Sequence, residues 1–376
     1  MTIGRIATRW GALLASHCRR AGVGVILAGL LLSGAAVASG AASYQIGVFY
    51  FPGWKDHQVG APSAFPWQRI QPFPEREPAL GWYDEGKLDV MNEQLTWMKS
   101  HGIDFVVFDW YYGRGRKVML EHALATYMRS PAREGTRFSL LWANHSGMPE
   151  SLGDWQAMVS YWVKYYFPRP EFLRIDGKPV VFVFSADYLR QQAAKFGATT
   201  KVLMDSAQAI ARDAGFSGIA FVAGTGAYLS MIDRYAADAG YSAFSTYNYH
   251  NGPLAPLNTP SRSFTELDLG YRAHWQRFAE KGSLPLIVPM TSGWDKRPWG
   301  GSKDPAHDNS MASPEEFGAH LDAAKVFMDE HPALTRRMGV ICCWNEFGEG
   351  SYIEPTKMHG FRYLEEVKRV FGAPQE

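Results

Sequence analysis

Leu88-Asp89-Val90-Met91-Asn92-Glu93-Gln94-Leu95-Thr96-Trp97-Met98-Lys99-Ser100-His101-Gly102-Ile103-Asp104-Phe105-Val106-Val107-Phe108-Asp109-Trp110 is the stretch whose reading decides the fold. Leu88, Met91, Leu95 and Met98 recur at helical spacing on one face, and Gly102 marks the stop. A short connection, His101–Asp104, leads into Phe105–Trp110, which is apolar on consecutive positions. A strand buried on both of its faces reads that way, and such strands belong to parallel sheets covered by helices.

The same unit recurs in both directions. Further apolar runs are Ile46–Phe51, Phe138–Trp142, Val180–Phe184, Gly218–Ala223, Ala243–Thr246, Leu286–Met290 and Val340–Trp344. Helix-like segments lie between them. The clearest begins Ser313-Pro314-Glu315-Glu316, a capping box with Pro at the first helical position, followed by Phe317, Leu321, Ala324 and Met328 on one stripe. Strand–helix alternation repeated about eight times predicts an α/β protein, a (β/α)8 TIM barrel, over residues 44–372 as a single domain. Helix-to-strand connections such as Ala239–Ser242 are short, whereas the strand-to-helix connections Pro52–Lys87, Tyr247–Ser263 and Thr291–Ala312 are long. In a barrel those long loops gather at the C-terminal face, where the active sites of this fold lie. An open doubly wound sheet is the competing arrangement. It is disfavoured because no G-x-G-x-x-G follows the first strand, and Gly224-Thr225-Gly226 after the fifth reads as a turn.

Composition narrows the function. With a formal net charge of +1 there is no excess of basic residues to meet a polyanion, which argues against nucleic acid as a partner. The aromatic share, 14% with 13 Trp, is high, and Trp and Tyr offer flat apolar faces with polar tips that suit sugar rings. At the N-terminus, Arg5, Arg9, Arg19 and Arg20 precede the uncharged stretch Ala21–Ala38, which ends in the cleavage-like Ala36-Val37-Ala38. That order describes a secretory signal, or an uncleaved anchor helix at the lower limit for spanning a membrane. The expectation is therefore an exported protein, periplasmic or secreted, touching a membrane only through residues 1–38. Losing that segment would take the formal charge from +1 to −3. Cys18 would go with it. Cys342 and Cys343 are neighbours in a predicted strand, where successive side chains face opposite ways, so they are expected to stay unbridged.

The strand ends supply the site candidates. They are Tyr50 and Trp54; Asp109, Trp110 and Tyr111; Asn144 and His145; Asp187; Tyr247, Asn248 and His250; Trp294 and Asp295; then Asn345, Glu346, Glu349 and Glu354. Carboxylates, amides, His and aromatic rings are the groups that hydroxyl-rich ligands call for. No H-e-x-x-H or paired Cys/His spacing occurs, so neither a metal nor another cofactor is expected, and His145 and His250 read as loop histidines that contact substrate. The densest acidic cluster is Trp344-Asn345-Glu346-Phe347-Gly348-Glu349-Gly350. If its turn is helix-like, the two Glu β-carbons lie about 5–6 Å apart. Glycoside hydrolysis needs two carboxyl groups flanking the scissile bond, at about 5–5.5 Å when configuration is retained. Solvated loop charges are the bland alternative.

Three segments together resemble a known family. Val48-Phe49-Tyr50-Phe51-Pro52-Gly53-Trp54 is similar to the opening strand of the family 99-like glycoside hydrolases and their WbsX-type relatives. Phe172-Leu173-Arg174-Ile175-Asp176-Gly177-Lys178-Pro179-Val180 resembles their turn before the fourth strand. Trp344–Gly350, with Ile353-Glu354-Pro355 after it, resembles their signature. The resemblance implies a barrel acting on α-mannosides or related bacterial polysaccharide glycans, retaining and metal-free. It places the family's catalytic base on Glu346, which would draw the proton from the sugar's 2-hydroxyl to give a 1,2-anhydro intermediate. The general acid, later base, falls on Glu349. Gly348 between Phe and Glu is closer to the WbsX-type pattern, a group labelled glycosyltransferase. That makes transfer in exopolysaccharide assembly one alternative to hydrolysis, and a non-catalytic glycan-binding barrel another.

Overall fold

Runs of Val, Ile, Phe and Leu with both faces apolar need cover on both sides, which a sheet closed on itself and wrapped by helices provides. The computed structural model describes residues 43–55, 65–252 and 259–372. It contains eight parallel strands: β1 Gln45–Tyr50, β2 Phe105–Gly113, β3 Arg137–Trp142, β4 Lys178–Val183, β5 Ala220–Gly224, β6 Ala243–Ser245, β7 Val288–Thr291 and β8 Met338–Cys342. Pairing runs β6-β5-β4-β3-β2-β1-β8-β7. The ring closes between β6 and β7 through a single bridge, Phe244 opposite Leu286, whose backbone bonds are 2.8 and 3.0 Å. The barrel expected from the alternation is the fold observed.

Helices surround it: α1 Leu88–Ser100, α2 His122–Arg129, α3 Leu152–Tyr165, α4 Ala186–Lys195, α5 Thr200–Asp213, α6 Leu229–Arg234, α7 Phe264–Lys281, α8 Pro314–Glu330, α9 Pro332–Thr335 and α10 Arg362–Phe371. In α1 the stripe Met91, Leu95 and Met98 is buried, while Leu88 at its start is exposed. In α8 the capping box of Ser313 and Glu316 is present, and Phe317, Leu321, Ala324 and Met328 face inward. Among the described residues no helix is long and apolar enough to cross a membrane. The segment read as an export signal, residues 1–38 with Cys18, lies outside the described residues.

Side chains alternate across each strand, and this alternation sorts the core into layers. Phe49, Phe105, Val107, Leu141, Phe182, Val222 and Val340 fill the barrel. Val48, Tyr50, Val106, Phe108 and Trp110 point outward beneath the helices. A satellite cluster of Trp54, Trp67, Ile70, Tyr83, Phe347 and Tyr352 forms under the long loop after β1.

The cysteines correct an expectation. Cys342 and Cys343 are joined in a disulfide and lie in the barrel core. Alternation applies to an extended trans chain, but β8 ends at Cys342 and the Cys342–Cys343 peptide is cis, with the two Cα atoms 3.0 Å apart.

Candidate active site

The segment after β8 forms a tight hairpin. Asn345 pairs with Tyr352 and Glu346 with Ser351 in a short antiparallel ladder, so Phe347–Gly350 is its turn. The Glu349 amide donates to the Glu346 carbonyl at 3.2 Å, which puts the two glutamates at the first and fourth positions of one turn. The turn is a β-turn rather than a turn of helix, and both glutamates line one cavity. Two glycines permit it. Gly350 has φ +70°, a left-handed conformation that side chains disfavour. At Gly348 a β-carbon would stand 1.9 Å from Nε1 of Trp299, so only glycine leaves room for that indole.

Long-range bonds hold the turn from below. Asn345 accepts the Phe51 amide at 2.9 Å through Oδ1, and its carbonyl accepts Nε1–H of Trp54 at 2.9 Å. The fully buried Arg76 donates to the carbonyls of Phe347, at 2.6 Å, and Asp295, at 3.1 Å, and pairs with the Asp295 carboxylate. The Asp295 amide in turn donates to the Glu349 carbonyl at 2.7 Å. A buried cation with three acceptors can replace the water it gives up, and these bonds fix the loops after β1, β7 and β8 against one another.

Above the turn, at the C-terminal ends of the strands, lies a cavity of about 310 Å³. Of the residues expected at the site, Asp109, Tyr111, His145, Tyr247, Asn248, His250, Trp294, Glu346 and Glu349 line it. The lining also includes Phe51, Ala143, Phe184, Thr246 and Trp299, which are not among the site candidates at the strand ends. Tyr50, Trp54, Trp110, Asn144, Asp295, Asn345 and Glu354 do not line it, and their side-chain bonds run to the surrounding framework. Alternation explains two of these. Tyr50 and Trp110 point out of the barrel, the first to Gln94 of α1 at 3.0 Å, the second to the Tyr166 hydroxyl at 2.9 Å. Asn144 ties β3 to β4 through two bonds to the Ser185 backbone. Glu354 is buried, accepting from Tyr83 at 2.7 Å and Gln94 at 3.0 Å. Asp187 begins α4, where Arg190 and Tyr235 engage its carboxylate.

Three carboxyl groups share the cavity, and burial decides their protonation. It pushes Glu346 far above the ordinary carboxylate range, with the nearby Glu349 and Asp109 adding to the effect. Burial pushes Glu349 up to about 7, against the pull of the Lys296 ammonium. Asp109, only 6% exposed and with one carboxyl oxygen unbonded, is likewise raised by burial and by Glu349. The Tyr247 hydroxyl donates to Glu346 at 3.3 Å and, acting on Asp109 too, works against the rise of that carboxyl. The indole of Trp299, which also lines the cavity, acts on Glu346 against the effect of burial and favours its ionised form. His250 is held neutral, its pKa lowered to about 3 by burial and by the neighbouring His307 and Lys296. Burial lowers His145 too. The result is a pocket rich in protonatable acids, with aromatic walls. Among the described residues no group of three or more His, Cys, Asp or Glu is placed to hold a metal ion.

Comparison with known proteins agrees with this architecture. A profile of the family described as "Glycosyltransferase WbsX" matches residues 54–367. An uncharacterized protein, WxcX, of Xanthomonas campestris pv. campestris is 25% identical over 316 residues, 77% of this chain and 42% of that protein, so the chain spans less than half the length of this relative. Among solved structures, the GH99 endo-alpha-mannosidase of Bacteroides thetaiotaomicron is similar at 16% identity with a TM-score of 0.62, covering 86% of this chain and 96% of that one. A protein described as glycoside hydrolase-like gives a TM-score of 0.65 at 16% identity, covering 88% and 94%. At such identities the structural likeness is one of fold.

Proposed function

The chain belongs to the WbsX glycosyltransferase family, and from that premise we propose that it is a retaining glycoside hydrolase acting on α-mannoside-like or other bacterial polysaccharide glycans. One observation carries the reading. Two glutamates stand at the ends of a single turn on the C-terminal face of the barrel, inside a buried cavity, and one of them is poised near neutral pH. Such a group can give a proton and take it back.

In the proposed reaction Glu346 removes the proton of the sugar's 2-hydroxyl, and the freed oxygen attacks the anomeric carbon. Glu349 protonates the departing glycosidic oxygen as that bond breaks. Glu349, now ionised, then draws a proton from water, which opens the three-membered ring, and the 2-oxygen recovers its proton from Glu346. Two displacements at one carbon retain its configuration. Burial alone would leave the pair's proton on Glu346, whereas the reaction needs it on Glu349. The Tyr247 hydroxyl, which donates to Glu346, and the nearby Trp299 indole both favour the ionised form of Glu346 and so the required placement.

The family's description favours a second reading, transfer to an acceptor sugar in place of water. The same machinery serves it. The donor would still be a glycan, because a nucleoside diphosphate in this cavity would face three carboxyl groups. The charge pattern of residues 1–38 supports action outside the cytoplasm.

The test offers the purified protein α-mannosyl fluoride, mannans and bacterial exopolysaccharides, with and without added acceptor sugars. Proton NMR should show products of retained configuration, and Glu346→Gln and Glu349→Gln should each abolish most of the turnover. Inverted products, or variants within a few-fold of the wild type, would sink the reading.

A further inference from the structure

Of the three carboxyl groups in the cavity, the proposed reaction uses Glu346 and Glu349 and leaves Asp109 without a task. β2 puts it there. Phe105 and Val107 fill the barrel, and the next inward position, level with Leu141 of β3, is Asp109. It is 6% exposed and its Oδ1 has no bonding partner, while the cavity lining holds no Lys or Arg among the described residues. A buried carboxylate without a cation is costly to keep, and at the wall of a cavity such a group marks a binding function.

The rest of the lining says which chemistry satisfies it. Phe51, Tyr111, Phe184, Tyr247, Trp294 and Trp299 contribute aromatic rings, and the two glutamates contribute further acceptors. Several groups that could donate to a sugar's oxygens are engaged within the protein. Asn248 gives an amide N–H to Ser351 at 3.0 Å, and its oxygen accepts from the Tyr271 hydroxyl. The Trp294 indole donates to Ser302 at 2.9 Å, and the Tyr247 hydroxyl to Glu346 at 3.3 Å. Burial holds His145 and His250 toward neutrality, so they bring no positive charge. Lys296, whose ammonium pulls on Glu349, is not part of the wall. Aromatic faces and acceptor oxygens together suit a ligand that is both a donor and a cation. A neutral hydroxyl is only the first of these, whereas an ammonium group is both.

We propose that the substrate is a glycan containing an amino sugar, and that the sugar held in the cavity carries a free, protonated amine that pairs with Asp109. The inference rests on reading the cavity as a glycan site. The proposed reaction needs the 2-hydroxyl, so the amine belongs on carbon 3, 4 or 6 of the ring. Burial moves Asp109 toward its protonated form, and an ammonium ion beside it stabilises the carboxylate instead. The surrounding ring faces favour the same charge.

The test measures binding and needs no turnover. The full chain is titrated by NMR at pH 6 with methyl α-mannoside and with its 3-, 4- and 6-amino-deoxy analogues. A charged hydrogen bond is worth roughly tenfold or more in affinity, so one amino isomer should bind at least about tenfold more tightly than the neutral glycoside. Acetylating that amine removes its charge and should erase the gain. Asp109→Asn, which keeps the shape, should bring the affinities of the amino and neutral probes together. The acetylated probe is compared on the wild type alone, so it decides even if the variant folds poorly. Amino glycosides that bind no better than methyl α-mannoside overturn the inference and leave the glycan reading standing. So does a preference that survives acetylation, or one that survives Asp109→Asn in a folded variant. If none of the four glycosides binds, the glycan reading falls and this inference with it.

Discussion

Replacing Glu354 by Gln should flatten the pH dependence of stability without touching the cavity. Glu354 is 0% exposed, and burial pushes its carboxyl up to about 8, with Glu85 adding to the rise and the bonds from Tyr83 and Gln94 opposing it. The ordinary value is 4.5. A carboxyl raised on folding contributes stability that is complete while it stays protonated in both states, below pH 4.5. That contribution drains away as pH rises and is gone above about 8. At about 1.4 kcal/mol per pH unit, the loss across that window is on the order of 4–5 kcal/mol. Gln keeps the shape and both neighbours but cannot ionise. The variant should therefore be close to the wild type at pH 5 and more stable by a few kcal/mol at pH 9. Denaturant unfolding followed by Trp fluorescence at pH 5, 7 and 9 measures this, with denaturant slopes compared to check that the unfolded states match. A variant whose stability falls with pH as steeply as the wild type's would refute the argument, since the titrating group would then lie elsewhere.

Other expectations are shorter. The general acid should set the alkaline limb of kcat/KM near pH 7, where Glu349 loses its proton, and Glu349→Gln should lose roughly 10²–10⁴ in rate on natural glycans but much less on a fluoride that departs unaided. Arg76→Met takes from the Asp295 carboxylate its buried partner and leaves it Arg297 alone, so it should cost about 1–3 kcal/mol in thermal or denaturant unfolding and lower turnover with it. Trp110→Phe should lower stability and leave kcat/KM almost unchanged, while Tyr247→Phe should do the reverse, because the first ring faces α3 and the second the carboxyl groups. N-terminal sequencing after cell fractionation should find an exported protein beginning between about Ala38 and Ala42, and a full-length cytoplasmic product would refute export.

Much of the barrel could be read in the sequence because its signals are local. Double-faced apolar runs, the stripe of α1 and the capping box of α8 each need only neighbours along the chain. The acidic turn was legible for the same reason, since its glutamates are three residues apart. Strand parity is an equally local signal. Phe49 and Phe51 share a face, so Tyr50 between them must point outward, and the pair Asp109 and Tyr111 excludes Trp110 in the same way. Trp299 left no such trace. It lies in a loop whose path is set by Trp54, Trp67 and Arg69, all from the loop after β1, and nothing in its own surroundings in the chain announces that meeting. The buried role of Glu354 was hidden likewise, because its partners Tyr83 and Gln94 lie 271 and 260 residues away.

Those separations bear on when the protein becomes competent. Trp54 and Phe51 bind Asn345 across 291 and 294 residues, and Arg76 reaches Phe347 across 271. β1 must also find β8 to complete the wall. A chain folding from its N-terminus can assemble most of the ring and still lack a usable site, since the first loop has nothing to grip until the last strand arrives. The candidate site is thus completed at the end of assembly, in the same step that sets β8 between β1 and β7. A partly made or partly emerged chain carries most of the walls but lacks the turn that bears Glu346 and Glu349.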